Sequence, residues 1–324
     1  MTEPVPIVTV IVAARPEQTG LIAVAAAKQL DYPKQNLELL VARGRQPSAQ
    51  RNAALKIARG DLIYFLDDDS APAPDNLQRA LPHFADPAVQ VVGGPSLCPP
   101  GAPFLEKVFA LVLGSWLAFG PSRARYMPVG NVRHTTEKEL ILCNLIARKQ
   151  TLLALGGFNE ALYPNEENAL MDAIQNIGGK LVYDPNFVAY RRPRRTLRAF
   201  AKMLMTYGRG RAEQFRVYPT LGSALNFVPP LFCLYLAGLT PVLLSGLLCP
   251  RILLAPLAAY TIAVMLQTVA LIVRGGLVAG LCACPLIMLT HVLYGLGFWR
   301  GLFTKLKPPT SDQSVPVQVQ NVPV

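Results

Sequence analysis

The sequence predicts an α/β domain built on a mostly parallel sheet, followed by transmembrane helices. Three observations carry the prediction. The first half alternates short, continuous apolar runs rich in β-branched residues with stretches of helical composition, the pattern of strands covered by helices on both faces. From Asn226 onward charge nearly vanishes, in runs of membrane-spanning length. Where the halves meet lies a dense basic segment, "RRPRRTLR" at Arg191 to Arg198. A chain of 324 residues has room for one large domain and something further, or for two. The composition shifts set expected boundaries at 1–218 for a cytoplasmic domain, 219–300 for about three membrane helices and 301–324 for a tail.

In order, "PIVTVIVAAR", "LELLVAR" and "DLIYFLD" read as strands, separated by the helical segments "TGLIAVAAAKQL" and "PSAQRNAALKIARG". A fourth strand, "VQVVGGP", ends in two glycines and a proline, which favour a tight loop where backbone can approach a ligand. "FLEKVFALVLGSWLAFG" is apolar, carries one charged pair and is too short to span comfortably; it reads as an interfacial or membrane-dipping helix, or else as a buried core helix. The tail from Pro308, rich in Pro, Gln, Val and Ser, reads as disordered. No signal peptide is expected, because "MTEPVPIVTVIVAARPE" has an acid where a basic region should stand and too short an apolar run.

Three runs, "FVPPLFCLYLAGLTPVLLSGLLC", "ILLAPLAAYTIAVMLQTVALIV" and "LVAGLCACPLIMLTHVLYGLGF", each have roughly the 20 residues that a helix needs to cross a bilayer core. None shows the polar face of a soluble helix. The net charge of +11 comes largely from Arg191 to Arg198, continued by Arg209, Arg211 and Arg216. Such a patch just outside a membrane run matches the positive-inside bias and anionic headgroups, which argues against nucleic acid and places the first domain in the cytoplasm, on the inner membrane. Three spans would leave the carboxyl end outside, yet "WRGLFTKLKPP" is basic and prefers the cytoplasm. The six cysteines have no zinc spacing.

"YFLDDDSAP", residues 64–72, crowds three carboxylates at the end of the third strand. Neighbouring like charges repel and raise one another's pKa, so they suit a cation to hold or a proton to manage, or else a solvated turn with a helix cap. In a parallel sheet, ligands bind beyond the carboxyl ends of the strands, where Asp67, Asp68 and Asp69 are expected.

With "LDDDS", "GGFNE", "NEEN" and a basic stretch before membrane helices in this order, residues 5–215 resemble the family 2 inverting glycosyltransferases. The likeness is to the membrane-bound bacterial enzymes of exopolysaccharide and lipid-linked glycan synthesis, including the succinoglycan type. It implies a GT-A-type, Rossmann-like domain, a UDP- or GDP-linked sugar donor, a lipid-linked or glycan acceptor, and Mg²⁺ or Mn²⁺ bridging the donor's phosphates. A departing nucleoside diphosphate builds up negative charge, which a cation held by hard oxygen ligands neutralises. The resemblance implies that Asp67 contacts ribose or sugar and shares the metal site with Asp69, with Asp68 at the variable position. It puts Glu166 and Glu167 where similar enzymes carry a Glu-Asp pair, so that Glu167 is the base that takes the acceptor's proton; a helix start favoured by acids through its dipole is the bland reading.

The chain departs from the family in places. Glu167 stands where Asp is usual. After the second strand, where relatives carry an acid that reads the nucleotide's base, this chain has "VARGRQPSAQRN"; Arg43, Arg45, Gln50 or Arg51 is left to contact base or phosphate, with Ser48 as a nearby helix cap. Glu17 corresponds to the acid after the first strand. Arg209 and Arg211 offer the guanidinium that relatives place on the diphosphate, without the accompanying Trp, and suit lipid headgroups equally. Other readings are a degenerate, membrane-anchored glycan-binding or scaffold protein, a transporter, for which the membrane runs hold few polar groups beyond His291, Gln267 and scattered Thr, and a processive synthase, for which three segments are few.

Overall fold

The computed structural model describes residues 5–162, 165–219, 221–246, 249–305 and 316–324. The chain runs β1 (Val8–Ala14), α1 (Ile22–Ala27), β2 (Leu37–Arg43), α2 (Pro47–Ile57), β3 (Leu62–Asp67), β4 (Ala71–Pro72), α3 (Asn76–Ala80), β5 (Val89–Gly93) and β6 (Ser96–Leu97). It continues through α4 (Phe104–Leu113), α5 (Trp116–Phe119), β7 (Arg133–Thr135), β8 (Asn144–Arg148), α6 (Lys149–Ala154), α7 (Glu166–Asn176), β9 (Lys180–Tyr183) and β10 (Ala189–Tyr190). Then come α8 (Leu197–Val217), α9 (Val228–Ser245), α10 (Pro250–Gly275), α11 (Leu277–Phe303) and β11 (Gln318–Asn321). Two compact units result, a sheet unit of residues 1–99, 121–192 and 307–324 and a helical unit of residues 100–120 and 193–306.

The sheet unit holds eight strands in the order β11-β2-β1-β3-β8-β5-β9-β7. β1 pairs in parallel with β2 and β3, and β5 with β9, while β8 runs antiparallel between β3 and β5. Alternate side chains enter opposite cores, as the two-residue period of a strand requires. Val10, Val12, Leu39, Val41 and Leu66 pack with Ala23, Ala27, Leu77 and Ala80 of α1 and α3. Ile11, Ile63 and Phe65 pack with Ala54, Leu55, Met171 and Ile174 of α2 and α7 on the other face. Burial on both sides is why these strands read as unbroken apolar runs.

The structure differs from expectation at three places. Residues 318–321 of the tail form β11, which pairs antiparallel with β2 from Gln318↔Arg43 to Asn321↔Leu40. The expectation of disorder for residues 306–315 lies outside the described residues. The helix expected over Phe104 to Phe119 is broken at Gly114 and Ser115, the latter capping α5 through its Oγ; the two stretches bend by 61°. The backbone freed there is satisfied within the helical unit, where Leu117 N donates to Gln267 Oε1 at 3.1 Å and Leu117 O lies 2.9 Å from His291 Nε2. Finally, α2 is capped by Gln46, whose side chain accepts from Ala49 N, and not by Ser48, whose Oγ is buried without a hydrogen-bond partner.

The three apolar runs are found as α9, α10 and α11, each long and apolar enough to cross a membrane. α8 lies against α11 through glycines: a Cβ on Gly208 would stand 2.0 Å from Tyr294 O, and one on Gly297 would stand 2.2 Å from Met205 O. Small residues allow such close approach of two helix backbones.

Candidate active site

The acidic triplet ends β3, the strand at the middle of the sheet, at the carboxyl edge that β1, β2 and β3 share. Arg51, from α2, reaches this edge with a side chain that is only 8% exposed; its Nη2 donates to Asp67 Oδ1 at 2.9 Å and its Nη1 to Glu166 Oε1 at 3.1 Å. One buried guanidinium therefore joins the triplet to the start of α7. Beneath it lies Phe158 of the "GGFNE" turn, 5.9 Å from the guanidinium carbon to the ring centroid. The turn is fixed on α2 by Asn52, which donates to Phe158 O and accepts from Phe158 N. Gly157 has φ +77°, and a Cβ there would stand 2.4 Å from Asn52 Oδ1, so glycine meets both requirements.

Glu166 is 3% exposed, and its second oxygen accepts from Asn165 N at 2.9 Å. Burial pushes its carboxyl up to about 7; the charge of Glu167 adds to the rise and Arg51 opposes it. Glu167, beside it, is half-buried, and its Oε1 accepts from Asn168 Nδ2 at 3.3 Å. Asn165 has φ +143°, a conformation an L-residue adopts only when its surroundings impose it. Its Oδ1 accepts from Asn168 Nδ2 at 2.9 Å, and Asn168 Oδ1 in turn accepts from buried Arg125 at 2.5 Å. Two acids of unlike surroundings thus open α7, one buried against Arg51 and one half-buried beside Asn168.

Sequence reasoning grouped Arg191 with the membrane-facing charges and missed its place here. It follows β10 in a small sheet of order β4-β10-β6, where Tyr190 lies opposite Ala71, the second residue after Asp69. That register delivers the guanidinium to the triplet: Nε donates to Asp69 Oδ1 at 2.7 Å and Nη1 lies 3.0 Å from Asp67 Oδ2. The backbone oxygen of Asp68 accepts from Ala23 N at 3.2 Å, tying the triplet to α1.

Other sequence-selected residues stand outside this network. Glu17 pairs with Arg45 at 2.6 Å, both about two-thirds exposed. Arg43 is spent on the carbonyls of Arg15, Pro16 and Gln18, and Gln50 on those of Ala14 and Ala42. Arg209 and Arg211 belong to the helical unit, where Arg209 Nε lies 3.3 Å from Glu213 and Arg211 donates to Gln214 at 3.2 Å.

The donor set suits a hard divalent cation. Asp67 and Asp69 present carboxylate oxygens to one positive centre, the Arg191 guanidinium, at a partly exposed edge. Among the described residues no group of three or more His, Cys, Asp or Glu could hold a metal; a cation at Asp67 and Asp69 would have to complete its coordination with water or a ligand's oxygens. Mg²⁺ and Mn²⁺ are commonly held in that way.

Residues 15–140 match the family model for glycosyl transferase family 2. The matched stretch takes in Glu17, Arg51 and the triplet and ends before α7. Over 173 residues the chain is 28% identical to a pre-mycofactocin glycosyltransferase of Mycobacterium tuberculosis, in strains CDC 1551 and H37Rv, the match covering 50% of this chain and 33% of the relative. The match thus spans about a third of the length of these curated relatives. In fold the chain is similar to mannosyltransferase PcManGT of Pyrobaculum calidifontis, solved in complex with GDP-Man and Mn²⁺, with a TM-score of 0.58, 20% identity and coverage of 93% of this chain and 88% of that one. The sheet unit is therefore a GT-A-like α/β domain carrying a family 2 match, joined to three helices of membrane-spanning length.

Proposed function

We propose that this protein is a membrane-bound family 2 glycosyltransferase that moves a sugar, with inversion, from a UDP- or GDP-linked donor to a lipid-linked or polysaccharide acceptor, as in exopolysaccharide synthesis of the succinoglycan type. The observation that carries the reading is the Arg51 bridge, which couples the acidic edge at Asp67 to the acidic helix start at Glu166. Asp67 and Asp69 hold Mg²⁺ or Mn²⁺. When bound, the cation neutralises charge on the departing diphosphate. Asp67 and Asp68 also orient the donor, with Glu17 and Arg51 toward its nucleotide. Glu167 takes the acceptor hydroxyl's proton; Glu166, pinned by Arg51, holds Glu167 and the start of α7 in place. A donor screen on the purified protein, read by nucleotide release and by anomeric configuration of the product, tests this reading. Release from no UDP- or GDP-sugar with Mg²⁺ or Mn²⁺ present would leave a glycan-binding scaffold as the reading.

Connectivity supports one reading of the topology. The chain leaves the sheet unit after Arg192 and rejoins it at β11, which pairs with β2. A segment whose two ends lie in one folded unit crosses a membrane an even number of times, so in the proposed multi-pass protein two of α9, α10 and α11 cross fully and one does not. The same count keeps residues 100–120, which also leave and rejoin the sheet unit, on one side. The basic segments near Arg191 and Arg300 then share the cytoplasmic face. Protease tags at the amino and carboxyl ends should both be protected in intact cells and both be cut after lysis; cleavage of one alone in intact cells would overturn this topology.

A further inference from the structure

The Arg191 guanidinium bridges Asp67 and Asp69, the two carboxylates of the proposed metal site. Its contacts are directed: Nε to Asp69 Oδ1 at 2.7 Å and Nη1 to Asp67 Oδ2 at 3.0 Å, while Arg51 takes the other oxygen of Asp67 at 2.9 Å. Both oxygens of Asp67 and one of Asp69 are thereby engaged by guanidinium groups. Each arginine spans two acids, but they differ in exposure: Arg51, on Asp67 and Glu166, is 8% exposed. Arg191 is 27% exposed and reaches across from a two-residue strand. Its backbone is fixed, with Arg191 N donating to Leu97 O at 2.8 Å.

We infer that Arg191 is a latch: in the donor-free protein its guanidinium is the counter-ion of Asp67 and Asp69, and a divalent cation enters that pair only together with a diphosphate that draws Arg191 off. The inference rests on the proposed metal site. The charge balance supports it. A free divalent cation must displace an established ion pair and leave Arg191 facing a dication, which is repulsive at this range. A cation arriving with a nucleoside diphosphate brings negative oxygens that satisfy the displaced guanidinium, whose planar fork suits phosphate. The latch thereby favours the cation–nucleotide complex over either component alone. It also keeps two adjacent carboxylates neutralised between turnovers, where they would otherwise repel each other.

Mn²⁺ binding followed by electron paramagnetic resonance of the free ion, on full-length protein in detergent with and without GDP or UDP, tests the latch. Wild type should bind Mn²⁺ weakly alone and much more tightly with one of the nucleotides. Arg191→Met removes the charge and keeps much of the stem; it should tighten binding of Mn²⁺ alone by about fivefold, the equivalent of one partly exposed ion-pair contact, and shrink the gain from nucleotide. Arg191→Lys, which keeps the charge, should stay close to wild type. Unchanged Mn²⁺ affinity in Arg191→Met, with nucleotide-dependent binding intact, overturns the latch and leaves the metal site standing. Absence of Mn²⁺ binding in every variant, with or without either nucleotide, overturns the metal site itself and the latch with it.

Discussion

Asp69→Ala is expected to abolish sugar transfer while the protein stays folded and membrane-bound. The Asp69 side chain is 42% exposed and lies in the turn after β3, outside both apolar cores. Its ion pair is with Arg191. Loss of a half-exposed ion pair costs up to about 1 kcal/mol of stability, and even that is offset here because Arg191 keeps Asp67. The effect on reaction is of another size. On the proposed metal site, removing one of two protein ligands to a cation that would neutralise a leaving diphosphate should forfeit several kcal/mol of transition-state stabilisation, about three orders of magnitude in rate or more. Turnover of the active donor, measured beside a thermal melt, separates the two. Near wild-type turnover with Mg²⁺ or Mn²⁺ present would remove Asp69 from the metal site. Asp68→Ala is the comparison: its tie to α1 is through backbone, and as a residue proposed only to orient the donor it should raise KM for the donor and spare kcat.

What could be read from the residues was set by burial. β1, β2 and β3 are covered on both faces, and a strand covered on both faces has no choice but a continuous apolar run. β8 was not legible as the antiparallel strand between β3 and β5, because "NLIAR" has the same apolar character as its neighbours and only pairing fixes its direction. The tail misled through composition. Its Pro, Gln and Ser content suggests disorder, yet Val317, Val319, Val322 and Val324 pack partly buried against the sheet's two cores, and Val317 and Val319 carry the two-residue period of a strand. Arg191 was legible as charge and illegible as a site residue, since nothing in "YRRPRR" tells which arginine the β4-β10 register turns toward Asp67 and Asp69. For the same reason Ser48 was named as the cap of α2 when Gln46, two residues earlier, holds Ala49 N. The roles given to Asp67, Asp69, Glu166 and Glu167 rest on motif order and on the Arg51 bridge, and their tests are chemical.

The sharpest test separates Glu167 from Glu166. Glu167→Gln keeps size and hydrogen-bonding capacity, including acceptance from Asn168 Nδ2, and cannot take a proton, so kcat should fall by about two to four orders of magnitude with little change in donor affinity. Glu167→Asp should keep appreciable activity, since Asp is the usual residue at this place in similar enzymes. Glu166→Gln should be milder in kcat, because Glu166 is spent on Arg51 and Asn165 N and is closed to an acceptor. A second readout, stability against pH, assigns Glu166 independently of activity. Its folded pKa of about 7 lies above the ordinary 4.5, so the folded protein holds a proton that the unfolded chain releases. Its contribution favours folding most below the unfolded value, declines as pH rises between the two, and is lost above the folded value. The melting temperature of wild type should therefore carry a downward component from about pH 4.5 to about pH 7 that Glu166→Gln removes. Glu167→Gln should shift that component to lower pH, since the charge of Glu167 is one of the causes of the raised value. If Glu167→Gln turned over normally while Glu166→Gln was dead, the base would be the buried acid and Arg51 its regulator; if both turned over normally, the acids at the start of α7 would be structural and the proton would leave by another group.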